Sequence, residues 1–211
     1  MNKTLRILTA VVLICGAMNV QAQKKQGEWY TSGSIGAGLS TFAGDIENAQ
    51  SRIGLALIAE AGYNVTNWFA PSVGLTNTYQ GVGYSVIDKN LYMDVLSVPF
   101  LLNFSAGPFT LKAGIQPDFI LSARMNDIRY TDQLKTVSLS APLALNWNFL
   151  TDSDGDLWFL ELRYHCGLTK MNKDVMFSNG WRTPGNIRNS NILLTIGYKC
   201  DLCFVRIFNY T

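Results

Sequence analysis

The stretch FTLKAGIQPDFILSAR, residues 109–124, decides the fold. Phe109, Leu111, Ala113, Ile115, Pro117, Phe119, Leu121 and Ala123 share one parity, while Thr110, Lys112, Gly114, Gln116, Asp118, Ile120, Ser122 and Arg124 share the other. Neighbours on one helix face recur every three or four residues, whereas a strand sends successive side chains to opposite faces. The stretch is therefore a strand with one apolar and one largely polar face. A soluble sandwich, a lipocalin-like barrel around a ligand and a membrane barrel all alternate in this way, so the period alone leaves the surrounding medium open.

Working outward, the same period recurs in seven more segments. They are WYTSGSIGAGLSTF (29–42), RIGLALIAEAGY (52–63), FAPSVGLTNTY (69–79), YMDVLSVPFLLNF (92–104, with weaker alternation), TVSLSAPLALNWNF (136–149), WFLELRYHCGL (158–168) and NILLTIGYKCDL (191–202). Pro71 removes a ladder hydrogen bond and predicts a bulge or irregular pairing in its strand. Each of the eight strands is long enough to cross a bilayer when tilted, which takes roughly nine to eleven residues.

Three further features favour lipid as the medium. Of the 211 residues only 15% are charged, against about a quarter in soluble domains. The connections NVTNW, SAGP and TDSDGD are short and alternate with longer polar ones, the rhythm of periplasmic turns and extracellular loops. Tyr63, Trp68 and Phe69, then Phe104 and Phe109, then Trp147, Phe149 and Trp158 sit beside those short turns, as an interfacial aromatic girdle requires. The expected fold is all-β: an eight-stranded antiparallel up-and-down transmembrane β-barrel in the cell outer membrane, spanning 23–202. Residues 203–211 form a tail or continue the last strand.

Residues 1–22 read as a cleaved signal peptide: Lys3 and Arg6 precede an apolar run from Ile7 to Met18, and Val20-Gln21-Ala22 forms a small-residue cleavage site. A lipoprotein signal ending at Cys15 is disfavoured by Ile14, where a small residue is needed. Cys166, Cys200 and Cys203 remain, and an odd number argues against a disulfide framework. A net charge of +2, with no basic patch, gives no reason to expect nucleic acid.

YMDVLSVPFLLNF followed by Gly-Pro, then KAGIQPDFILSAR, ELRYHCGLTKM and NSNILLTIGYK resemble the outer-membrane β-barrel domain family abundant in Bacteroidota, which includes the PorT-type proteins and is akin to the eight-stranded barrels of OmpA or OmpX type. The resemblance covers essentially the whole mature chain and rests on strand-packing patterns. It implies insertion by the barrel-assembly machinery, outer-membrane lipid as surroundings, and envelope or secretion proteins as partners. The chain departs from the pattern at its end: such barrels close on an aromatic residue, whereas Tyr198-Lys199-Cys200 is followed by DLCFVRIFNYT.

An eight-stranded barrel has an interior that side chains can fill. Arg52, Glu60, Lys112, Asp118, Arg124, Glu161, Arg163, His165, Lys199 and Asp201 fall on the inward parity and carry both signs, so a salt-bridged plug is expected. A narrow polar conduit or a small-ligand pocket is the rival. The lone His165 reads as a member of that network, because a lipid-modifying enzyme needs its nucleophile and base at the membrane rim and no G-x-S-x-G elbow is present. No catalytic residue, cofactor or metal is assigned. DSDGD at 152–156 suits a tight turn and lacks the spacing of a calcium loop. Cys200-x-x-Cys203 has no second pair to make a metal site, and an extended strand would keep its sulfurs apart. The longest connection, with Met176, Phe177, Trp181 and Arg182 beside Lys170, Lys173 and Arg188, is the expected partner loop. The function implied is non-catalytic: membrane structure, surface interaction, or a part in secretion or envelope assembly. A small channel and a rim enzyme acting on outer-membrane lipid are the rivals.

Overall fold

The computed structural model describes residues 26–44, 49–84, 89–125, 128–129, 131, 134–153, 155–171 and 187–201. Its strands are β1 (Trp29–Gly44), β2 (Ala49–Tyr63), β3 (Phe69–Tyr84), β4 (Lys89–Ser97), β5 (Phe100–Ala106), β6 (Phe109–Met125), β7 (Ile128–Arg129), β8 (Val137–Thr151), β9 (Leu157–Gly167) and β10 (Ile187–Asp201). β4 and β5 form one stave. Thr76 faces Ser97 and Val73 faces Phe100, so the register with β3 runs unbroken through Val98 and Pro99. Pro99 has no N–H to give, but its carbonyl still accepts from Gly74 N at 3.0 Å, and Val98 N donates to Pro117 O at 3.0 Å. Pro71 likewise stays in register, opposite Leu102.

Every stave pairs antiparallel with its sequence neighbour, and β1 pairs with β10 from Tyr30↔Asp201 to Gly44↔Ile187, closing a barrel of eight. Closure leaves no strand edge, so every stave finds a backbone partner on both sides. No helix of the described residues is long and apolar enough to cross a membrane.

The outer wall is apolar. Ile35, Leu39, Ile53, Leu55, Leu57, Leu75, Leu111, Ile115, Leu143, Leu145, Leu162 and Leu194 are among its exposed side chains. Aromatic contacts ring the turn end: Trp29 with Tyr63 (5.2 Å between centroids), Phe69 with Phe104 (5.3 Å), Trp147 with Phe149 (5.9 Å) and Trp158 with Tyr198 (5.2 Å). At this end the staves are joined by residues 64–68, 107–108 and 152–156. Gly107 and Gly155 carry positive φ (56° and 85°), as tight turns demand. The Asp-rich turn closes on itself, with Asp152 N donating to Asp156 O at 2.8 Å and Asp152 Oδ1 accepting from Ser153 N at 2.7 Å.

At the opposite end the structure differs from the expectation of uniformly long loops. Only residues 45–48 and 85–88 separate the staves β1 from β2 and β3 from β4, because the strands run several residues beyond the strict alternation. The long connection is that between β9 and β10. Leu134 and Met171 turn inward to meet Leu91, Met93, Val95, Ile120, Ala123 and Ile187 in one buried apolar cluster across the mouth. Backbone bonds from Lys135 N to Met171 O (2.7 Å) and Met171 N to Ile187 O (2.9 Å) hold that lid to the barrel.

One expected inward residue lies outside. Between Ile120, opposite Val95, and Ser122, opposite Asp94, β6 has one residue more than β4. This bulge reverses the phase of β6, so Ala123 is fully buried and Arg124 is exposed on the outer wall rather than in the lumen. Cys166 is free, whereas Cys200 is disulfide-bonded. Cys203 and the rest of the chain after Asp201 lie outside the described residues.

Candidate functional site

The inward parity of β2, β6 and β9 carries Glu60, Lys112, Glu161 and Arg163, all nearly fully buried. Lys112 Nζ donates to Glu60 Oε1 and Oε2 at 3.1 and 3.0 Å and makes an ion pair with Glu161 Oε2 at 2.9 Å. Arg163 Nε donates to Glu161 Oε1 at 2.7 Å, with Nη2 2.6 Å from the same oxygen and 3.6 Å from Glu60 Oε2. Two carboxylates and two cations therefore alternate in a neutral ring. Because β2 is a neighbour of neither β6 nor β9, this ring crosses the lumen from wall to wall. Removal of the charges from water is offset only by such mutual pairing.

Uncharged groups extend the network in both directions. Toward the turn end, the Tyr30 ring lies against Gly62, where any Cβ would collide with it. Seated there, Tyr30 Oη donates to Glu60 Oε1 at 3.2 Å and accepts from Asn103 Nδ2 at 2.8 Å, and Asn103 Nδ2 also reaches Ser72 Oγ at 2.8 Å. Lys199 Nζ sits 3.7 Å from the centroid of that ring, a cation–π contact. Toward the lid, Asp118 Oδ1 accepts from Ser97 Oγ at 2.6 Å and Gln116 Nε2 at 2.7 Å, and Gln116 Nε2 lies 3.0 Å from His165 Nδ1. A cavity between Tyr30, Asn103, Lys112, Asn146 and Lys199 measures about 20 Å3, which is water-sized.

Of the expected lumen residues, the structure thus brings Glu60, Lys112, Glu161 and Arg163 into one ring, seats Asp118 and His165 above it and Lys199 below. Arg52 faces inward near the lid end but stays apart, and its Nε has no hydrogen-bond partner among the described residues. Arg124 is outside, and the side chain of Asp201 lies outside the described residues. Met176, Phe177, Trp181, Arg182 and Lys173 of the expected partner loop fall outside them too. Tyr30, Asn103, Gln116 and Ser97 were passed over in the sequence because charge alone was used to select lumen residues; polar character on the inward parity would have found them.

A stripe on β9 and β10 is buried without hydrogen-bond partners among the described residues: Arg163 Nη1, His165 Nε2, Asn189 Oδ1, Asn191 Oδ1 and Thr195 Oγ1. Among the described residues no group of three or more His, Cys, Asp or Glu side chains is arranged to hold a metal.

A family model described as the outer membrane protein beta-barrel domain matches residues 7–199. The chain belongs to that family. As an outer membrane beta-barrel protein it resides in the outer membrane, and in barrels of this kind the short turns are periplasmic and the longer loops extracellular. No curated protein matches it in sequence. Among solved structures, the outer membrane protein OprG of Pseudomonas aeruginosa superposes with a TM-score of 0.50 at 12% identity, over 85% of this chain and 98% of that one. The Neisserial surface protein A gives 0.48 at 14% identity, over 82% and 97%. Ail, the attachment invasion locus protein of Yersinia pestis, gives 0.45 at 14% identity, over 83% and 100%. At 12% identity the likeness to OprG speaks for the barrel alone.

Proposed function

We propose that this outer membrane beta-barrel protein is a non-catalytic, non-conducting envelope component that acts through its surface, as a structural or docking element. A part in secretion or envelope assembly is the finer reading, drawn from the PorT-type resemblance. The observation that carries the proposal is the wall-to-wall ring of Glu60, Lys112, Glu161 and Arg163, whose charges serve one another. Charges committed in this way are not available as nucleophile or base, and they occupy the path that an ion would take through the lumen. The lid above the ring closes the same path with apolar side chains. His165 supports a non-enzymatic role, since it is buried in the lumen against Gln116, away from the rim where lipid chemistry takes place. The surroundings proposed are outer-membrane lipid, the barrel-assembly machinery during insertion, and an envelope or secretion protein at the loop end. Liposome swelling with a small sugar, together with mass spectrometry of lipids from cells lacking the protein, tests this reading. Swelling no faster than empty vesicles and unchanged lipid species are expected; sugar uptake or a new lipid species overturns it.

A second reading, the narrow polar conduit, draws on the partnerless stripe of Asn189, Asn191, Thr195, His165 and Arg163. It requires the lid to open, so a small-ion current that appears only when Met93 or Leu134 is truncated would support it.

A further inference from the structure

The bulge in β6 does more than misplace a lumen residue. It sets Arg124 opposite Tyr92 on the outward wall, and Tyr92 stacks on Tyr79 with centroids 5.9 Å apart and planes at 14°. We propose that Arg124, with Tyr79 and Tyr92, docks the phosphorylated headgroup of an outer-leaflet glycolipid.

The height of the patch is the first support. Phe69, at the turn-end girdle, and Tyr79 lie ten residues apart on β3. At roughly 3.3 Å per residue and a tilt of about 40°, those ten residues rise about 25 Å, the height of the apolar band of such barrels. Tyr79 and Tyr92 therefore mark the outer interface, and Arg124 lies level with Tyr92 across the pair. An arginine facing lipid costs about 2–4 kcal/mol at mid-membrane but only about 0–1 near the interface. Headgroups, rather than acyl chains, surround it here.

Chemistry is the second. Arg124 is exposed and makes no ion pair or hydrogen bond among the described residues. The nearest acid across the strand pair, Asp94, lies one rung closer to mid-membrane and is engaged by Asn77 Nδ2 at 2.9 Å. A guanidinium across the strand pair from Tyr92, which stacks on Tyr79, presents forked N–H donors at headgroup height, and the two phenols add hydroxyls for a phosphate monoester. In an outer membrane the leaflet on that side carries its phosphate on glycolipid.

The test is native mass spectrometry of the refolded full chain, incubated in neutral detergent with bis-phosphorylated lipid A or its dephosphorylated form. The wild type is expected to retain the phosphorylated form about tenfold better, the scale of one charge-assisted hydrogen-bonded contact. Arg124→Ala should remove most of that preference, Arg124→Lys should keep part of it, and Tyr92→Leu should lower it several-fold. Arg188→Ala, at another exposed arginine, should leave it intact. Unchanged retention in Arg124→Ala, an equal loss in Arg188→Ala, or displacement by inorganic phosphate would each overturn the proposal. Heat-modifiable migration confirms that each variant is folded, and Tyr92→Leu keeps the test decisive if Arg124→Ala does not fold.

Discussion

Around Lys112 and Glu161 the barrel interior is filled by charges and hydrogen bonds, whereas around Met93 and Ala123, a few rungs higher, it is filled chiefly by an apolar cluster, with uncharged Gln80 opposite Met93. Both halves are buried, yet they are specified differently. In the lower half each residue depends on the identity of its partner, since a carboxylate without its cation is costly wherever it points. In the upper half only volume and shape matter, since dispersion and burial are indifferent to partner identity. The contrast predicts that single changes hurt most in the lower half and that coordinated changes there hurt least.

Arg163→Met should cause the largest loss, about 3–5 kcal/mol by urea unfolding in lipid vesicles, because Glu161 is left buried with Lys112 alone. A loss below about 1 kcal/mol would erase the distinction between the halves. Met93→Ala, which opens a cavity in the lid, should lose about 2–4 kcal/mol. Tyr30→Phe removes one hydrogen bond to Glu60 and one from Asn103, and should lose about 1–2 kcal/mol. The smallest net change is expected from replacing the whole ring with apolar residues of similar volume (Glu60→Leu, Lys112→Met, Glu161→Leu, Arg163→Met), within about 1 kcal/mol of the wild type and above the single Arg163→Met. A fourfold variant weaker than the single one would mean that the ring is favoured by more than its internal pairing.

How much of this was legible in the sequence varies with the kind of information each feature needs. The staves were legible because a two-residue period is a local property: Leu111, Lys112 and Ala113 announce their faces without reference to the rest of the chain. Arg124 was misplaced because a bulge inserts one residue without changing composition or hydropathy, so the period in the sequence continues through Ser122 while the backbone has changed phase. The lid left a faint mark, in that Met93 and Val95 on one parity and Tyr92, Leu96 and Val98 on the other are apolar, and a stave that is greasy on both faces must bury one of them in the lumen. The ring was only half legible. Glu60, Lys112, Glu161 and Arg163 could be placed inward, but that they meet depends on closure and register, which set residues from β2, β6 and β9 at one level. The upper connections were overestimated because strands that leave the membrane lose the apolar half of their alternation and then resemble loops.

The most direct test of the central claim, that the lumen charges serve one another, is a double-mutant cycle with Glu161→Gln and Arg163→Met, read by urea unfolding in vesicles. A coupling of about 2 kcal/mol is predicted, the upper part of the range for residues in direct contact. A coupling near zero would contradict the account, because each charge would then be held by something other than its partner.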